Sequence, residues 1–196
     1  MNGPSGGDRV KPAGPVFDKT WRAECVVEIA ERTETDWMIR RHYLGKWPGV
    51  TVLALAMKRA GVAIGLIVFA LPPRETAKRY GGVTWELARL WIDDAVPVNG
   101  ETWLIGRAVR FIRRERPEVA VLVSYADPAA GHAGVIYKAA NWAADGRTDD
   151  GRKSPRCDLE SVFDGKRYSR WSHVPEGDMA ERVPRVSKWR FVHRMK

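Results

Sequence analysis

Cysteine is scarce: the 196 residues hold two, Cys25 and Cys157, far apart and at neither a metal-ligand nor a redox spacing. A disulfide-stapled secreted scaffold is excluded, and both read as plain thiols of a reducing compartment. Long apolar runs are missing too. No stretch reaches membrane-spanning length, and the opening "MNGPSGGDRVKPAGP" lacks the apolar core of a secretory signal. The sequence thus predicts a cytoplasmic protein with no membrane partner, its residues 1–16 a disordered Gly/Pro-rich leader. There is no internal repeat, and no helix-turn-helix or finger motif to read a nucleic-acid sequence.

Against these absences stand 44% hydrophobic and 29% charged residues, enough for one globular domain with a sizeable core over 17–196. Lys and Arg number 33 against 24 Asp and Glu, a formal net charge of +9 spread along the chain rather than gathered in one block. The field belongs to the folded surface and points to an anionic partner, with nucleic acid ahead of membrane. A solvated basic surface without a special partner is the plain alternative.

Apolar patterning predicts an alternating order of elements. Residues 22–30 ("RAECVVEIA") read as a strand, and 35–43 as a helix capped by Thr35 or Asp36 and broken by "GKWPG". Residues 51–58 and 62–70 are apolar runs around "RAG", a hairpin of interior strands. "LPPRETAKRYGG" reads as a loop and 84–93 as a central strand. Residues 101–116 place Trp103, Ile105, Ala108 and Ile112 on one helical face opposite a basic one, with Pro117 as the stop. A buried strand at 119–125, a helix at 130–141 and a basic, aromatic strand at 187–194 complete the order. The polar, turn-rich segment at about 143–185 is too long for a simple connection and reads as a functional loop or a partly structured insertion.

This order describes an α/β domain: a mixed central sheet flanked by helices, with a long polar insertion before the last strand. It resembles the GNAT acyltransferase superfamily, where "GVIYKAANW" is similar to the segment that carries a helical tyrosine. More narrowly, "HYLGKWP", "ELARLWIDD", "WLIGRAVRFI", "SYADPAAGHAGVIYKAANW" and "KWRFVHR", in this order, resemble the Mom family of phage DNA-modification proteins. The resemblance covers roughly 36–142 and the final strand. It implies a transferase-like enzyme that converts adenine in double-stranded DNA to N6-carbamoylmethyladenine, which protects phage DNA from restriction. The alternatives are a GNAT-type N-acyltransferase acting on a small amine or a protein with acyl-CoA, and a non-catalytic basic DNA-binding protein.

GNAT enzymes cradle the coenzyme A pyrophosphate in a Gly-rich turn at a helix start, because clustered N–H groups there bind anions. This chain has "DDAVPVNGETW" instead, with two aspartates, a glutamate and a single glycine, which argues against acetyl-CoA. The product implied by the resemblance argues the same way. A carbamoylmethyl group joins N6 through a CH2, and attack on a thioester carbonyl cannot give that bond. The donor stays open, and a redox-active metal is one way to make its methylene electrophilic.

Ser124 and Asp127 flank Tyr125 at the C-terminal end of a central strand, where open α/β sheets bind ligands; turn chemistry before Pro128 is the plainer reading. Tyr137 follows in the next helix. By the resemblance it would be the general acid that protonates a leaving group, and otherwise it is a core tyrosine. His42 near a helix end suits the dipole, but the "HYLGKWP" match raises it and Tyr43 as candidates for base or metal handling. His42, Tyr43 and Asp127 together would suit iron, with His132 a weaker member of the pool. Glu86 and Arg89, three apart in a strand, are expected on opposite faces: Glu86 in the cleft as base or ligand, Arg89 structural or positioning substrate.

For DNA phosphates the candidates are the helix cations Arg107, Arg110, Arg113 and Arg114, the insertion, and the tail. The insertion supplies Arg147, Arg152, Lys153, Arg156, Lys166, Arg167 and Arg170; the tail supplies Arg185, Lys188 and Arg190. The amine of a paired adenine is hard to reach, so a flipped base is expected, with Tyr168, Trp171 or Trp47 to stack on it or fill its gap.

Overall fold

The computed structural model describes residues 20–154, 156–168 and 173–196. The predicted leader, Arg170 and Trp171 lie outside the described residues.

A short helix α1 (Trp21–Glu24) leads into β1 (Cys25–Ile29), so the first strand starts later than the sequence predicts. Helix α2 (Arg32–Arg41) begins earlier than expected, with Glu31 at its N-cap. Neither predicted cap acts as one: Thr35 Oγ1 donates back to Glu31 O at 2.8 Å, and Asp36 accepts from Trp47 Nε1 at 2.9 Å. Strands β2 (Thr51–Arg59) and β3 (Val62–Ala70) form the predicted hairpin, turning through Ala60 and Gly61, both with positive φ as a two-residue hairpin turn requires.

The segment read as a loop contains α3 (Arg74–Tyr80). Pro73 stands at its N-cap, "RETAKRY" is made of good helix formers, and Gly81 at φ 66° stops it. Strand β4 (Val83–Ile92), helix α4 (Gly100–Glu115) and β5 (Val119–Ala126) follow as predicted. The last predicted helix shrinks to α5 (Val135–Ala139), preceded by a 3-10 turn at Pro128–Ala130. The helix starts late because Gly131 and Gly134 both have positive φ, at 75° and 74°. Gly134 has a second reason to be glycine, since a Cβ there would sit 2.2 Å from Cε2 of Phe191.

The polar insertion is ordered into strands. Strand β6 (Ala143–Arg147) joins the main sheet at its edge, while β7 (Cys157–Ser161), β8 (Arg167–Tyr168) and β9 (Ala180–Pro184) make a small sheet in the order β8-β7-β9. Strand β10 (Trp189–Arg194) closes the chain, and the main sheet runs β1-β2-β3-β4-β5-β10-β6. Only β4 and β5 pair in parallel among its ladders.

Two features of β4 position the site. Its ladder with β5 runs from Val83↔Val119 to Leu87↔Ser124 and stops there, although β4 continues to Ile92 and β5 to Ala126. The strands splay beyond that point. On its other side, Val68 pairs with Arg89 and Phe69 with Leu87, which leaves Ala88 as an extra bulged residue. A bulge resets the alternation of side chains. Trp85 and Leu87 before it, and Leu90 and Ile92 after it, all join the core under α4. Glu86, Arg89 and Trp91 therefore share the opposite face, where Trp91 packs with Leu66 and Val68 against Met38 and Ile39 of α2. The expectation that Glu86 and Arg89 point to opposite sides fails for this reason.

The sheet thus has two unlike sides. Under α4 and α5 lie Leu104, Ile105, Ile112, Leu122, Tyr137 and Phe191, all buried. The other side carries α2, α3, Tyr125, and an ionic knot in which Asp145 Oδ2 meets Arg190 Nε at 2.8 Å and Tyr80 Oη at 2.5 Å. No helix among the described residues is long and apolar enough to cross a membrane.

Candidate active site

The splay between β4 and β5 opens a cleft of ≈ 300 Å³. Its walls are His42 and Tyr43 after α2, the bulge from Leu87 to Leu90, Tyr125 and Ala126 at the end of β5, and the segment from Gly131 to Tyr137. Because the opening lies between strands, it reaches both sides of the sheet. Ser124 and Tyr137 stand on the α4 side; Glu86, Arg89 and Tyr125 stand on the other.

On the α4 side, Ser124 Oγ lies 2.8 Å from both Leu87 O and Tyr137 Oη. Its single proton serves one of them at a time. Leu87 is the last residue of β4 paired with β5, so Ser124 caps a carbonyl at the point where that ladder ends. Burial pushes the Tyr137 phenol up to about 12, against the opposing effect of the Ser124 hydrogen bond. Tyr137 is a protonated phenol at neutral pH, able to donate into the cleft.

On the other side, Glu86 has no hydrogen bond or ion pair among the described residues. Burial pushes its carboxyl up to about 7, with Arg89 and Lys188 pulling the other way. A carboxylate without a partner inside a sheet is costly, and it is poised to exchange a proton at physiological pH. Arg89 faces the same space, with Nε donating to Lys46 O at 2.9 Å and Nη1 to Ala88 O at 2.6 Å. It ties the turn after α2 to the bulge.

His42 Nδ1 accepts from Leu44 N–H at 3.1 Å, which leaves only Nε2 for other partners. Burial, then Arg89 and His132, push it down to about 4, so it is neutral at pH 7. Burial also raises the Tyr43 phenol, while Lys188 lowers and Asp127 raises it. Asp127 is doubly engaged, accepting from Ala129 N–H at 3.0 Å and paired with Lys188 Nζ at 2.7 Å. His132 lies in the loop before α5, its ring 5.2 Å from that of Tyr43.

These donors fit an iron ion poorly. A metal on Asp127 would have to displace Lys188, and Tyr43 would have to lose a proton that burial makes harder to lose. Among the described residues no three His, Cys, Asp or Glu side chains gather as a metal group.

The Mom protein family matches this chain over residues 24–193. The chain belongs to that family. It is 29% identical over 126 residues to methylcarbamoylase mom of Escherichia phage Mu, a match covering 59% of this chain and 52% of the relative. The matched region therefore spans about half the length of that curated relative. Solved structures show the fold. An acetyltransferase of Bacillus subtilis in complex with CoA matches at a TM-score of 0.55 and 10% identity, covering 88% of this chain and 99% of the other. A GNAT family acetyltransferase of Elizabethkingia anophelis with acetyl-CoA bound matches at 0.53 and 9%, covering 87% and 98%. IAA acetyltransferase of Bacillus cereus matches at 0.52 and 12%, covering 87% and 99%. The fold is that of the GNAT acetyltransferases.

In this Mom family member the residues between β4 and α4 do not fit a pyrophosphate. Asp93 and Asp94 precede the helix and Glu101 occupies its first turn. Gly100 is no opening for a ligand either, since a Cβ there would meet Val96 Cγ1 at 2.7 Å. At Gly100 the helix start is packed against its own preceding loop.

The cations singled out for DNA fall into two groups. Many are tied to the protein: Arg114 to Glu115, Arg156 to Asp149, Arg167 to Glu160, Arg185 to Asp158, Lys188 to Asp127 and Arg190 to Asp145. Arg107 lies over the Trp103 ring, Arg147 over Trp189, and Lys166 over Tyr168. Arg110, Arg152 and Lys153 are exposed and have no ion pair among the described residues. Arg107, Arg110 and Arg114 ride on α4, across the sheet from Glu86. The reading of 71–82 as a loop passed over Arg74, Lys78 and Arg79, which α3 exposes on the Glu86 side, Lys78 paired with Glu75 at 3.7 Å and Arg79 with Asp145 at 3.4 Å. Their signal was the helix-forming composition of "RETAKRY". The stacking candidates fare differently: Tyr168 is buried at 6% exposure and donates to Asp178, and Trp47 is held by Asp36.

Proposed function

We propose that this Mom family protein is a transferase that places a carbamoylmethyl group on N6 of adenine in phage DNA, protecting that DNA from restriction. The observation that carries the reading is Glu86: an unpartnered carboxylate held near neutrality one residue before β4 and β5 part, on the opposite face of the sheet from Tyr137, whose phenol belongs to the cleft wall. The N6 amine is a weak nucleophile and must shed a proton as it forms a bond to carbon. Glu86 takes that proton as general base. The donor's leaving group departs with its electron pair from the methylene carbon and is protonated by Tyr137. Arg89 and Lys188 keep the anionic Glu86 tolerable after transfer back to solvent. Family membership and the likeness to the phage Mu methylcarbamoylase support the substrate. The acidic start of α4, crowded at Gly100, speaks against acyl-CoA as donor.

The base reaches Glu86 from the side that bears α2 and α3, and Arg74 of α3 with Arg152 and Lys153 supplies phosphate contacts. Nucleoside mass spectrometry of DNA from cells expressing the protein tests the reading. Adenine heavier by one carbamoylmethyl group is expected with wild type and is strongly reduced with Tyr137→Phe. Unmodified adenine beside folded wild-type protein would sink it.

A further inference from the structure

Tyr43 stands out at the cleft mouth as a large ring half in solvent, at 50% exposure, on a turn that is held firmly. His42 accepts Leu44 N–H on Nδ1, Gly45 N–H donates to His42 O at 2.7 Å, and Arg89 pins Lys46 O to the β4 bulge. The ring is flanked by two imidazoles, His42 at 4.5 Å between centroids and His132 at 5.2 Å. A fixed turn that presents an exposed aromatic face has no role in the core. Elsewhere near the site, rings are already used: Trp37 packs on Trp91, Trp47 is hydrogen-bonded to Asp36 under Arg32, and Tyr125 is bonded to Thr76. Phe163 is more exposed, at 71%, but belongs to the small sheet and does not line the cleft.

We propose that Tyr43, backed by His42 and His132, is the stacking platform for the adenine ring turned out of the duplex. The inference rests on the adenine-modification reading above. Every base has a π face, so stacking supplies affinity, while the exocyclic amine of adenine can donate to Glu86 beside the cleft, which the thymine O4 in its place cannot. The assignment separates the ring from the hydroxyl: a platform needs the aromatic face, whereas a metal ligand or proton carrier needs the oxygen.

The test is fluorescence anisotropy of duplexes that carry one adenine, or one thymine, opposite an abasic site, where the base leaves the stack easily. Wild type is expected to prefer the adenine duplex. Tyr43→Ala and Tyr43→Leu should weaken binding to it by ~5- to 150-fold, the span of base–aromatic stacking. Tyr43→Phe should rescue it to within about twofold, and His132→Ala should show a smaller loss. Unchanged non-specific binding to fully paired duplex checks that each variant is folded. Equal losses in Tyr43→Phe and Tyr43→Ala would overturn the platform in favour of the hydroxyl, and so would undiminished preference in Tyr43→Ala. A wild type that binds both duplexes alike would instead refute the adenine reading itself.

Discussion

The two sides of the central sheet are built from the same strands, yet they do opposite work. Beneath α4, side chains such as Leu104, Leu122 and Phe191 are buried, with the bonded hydroxyls of Ser124 and Tyr137 among them and no charged group. Across the sheet the same strands carry Glu86, Arg89, Tyr125 and Arg190, with Arg190 buried to 8% exposure and answered by Asp145. The apolar core is concentrated on one side and the charged groups on the other, and the Ala88 bulge brings Arg89 to the charged side. Costly groups are tolerated there because the apolar side supplies the stability to hold them.

The largest effect should come from Glu86→Gln, which removes the base and leaves its volume. The modified-adenine fraction should fall about 10²- to 10⁴-fold with the fold intact. Wild-type activity should climb as pH rises through about 7, where the carboxyl loses its proton, and the variant should lack that step. The stability trend runs the other way. A carboxyl raised in the folded state contributes stability that is present below its usual 4.5 and lost as pH rises through about 7. Glu86→Gln should therefore melt progressively higher than wild type across that window, and a constant gap would contradict the burial of Glu86.

The apolar side should answer in the opposite currency. Leu104→Ala, at a site with no exposure, should cost about 2–5 kcal/mol in urea unfolding. Asp145→Ala, which leaves the guanidinium of Arg190 without its carboxylate, should cost about 2 kcal/mol. If Leu104→Ala proved the cheaper of the two, the division between the sides would be misplaced. The smallest effect on stability belongs to Arg152→Ala with Lys153→Ala, within about 0.5 kcal/mol. A salt titration of duplex binding should nonetheless lose about two units of slope. Equal slopes would move the DNA surface to α3 or to Arg110 on α4.

The elements with a strong local signal were legible. The apolar runs at 51–58, 62–70, 84–93 and 119–125 became strands to within a residue at each end, and the amphipathic stretch after Gly100 became α4. The insertion was not legible as strands, because β7, β8 and β9 are short, polar and held by pairs such as Cys157 with Pro184 that join residues distant in sequence. The residues chosen around the cleft illustrate the same limit. His42, Tyr43 and Tyr137 do line one opening, with Ser124 bonded to its wall and Glu86 close enough to act on Tyr43. That Asp127 is engaged by Lys188 was beyond any pattern in the chain.

Composition and periodicity alone determined a basic α/β domain with its polar groups gathered after β5, since a strand or a helix records its own repeat in its own residues. The tertiary structure decided which side of the sheet each charge serves. Alternation predicts a face only while the ladder is regular, and a single bulged residue, placed by the pairing of β4 with β3, reverses every side chain beyond it. The splay that opens the cleft is likewise a relation between β4 and β5, and neither strand carries it by itself.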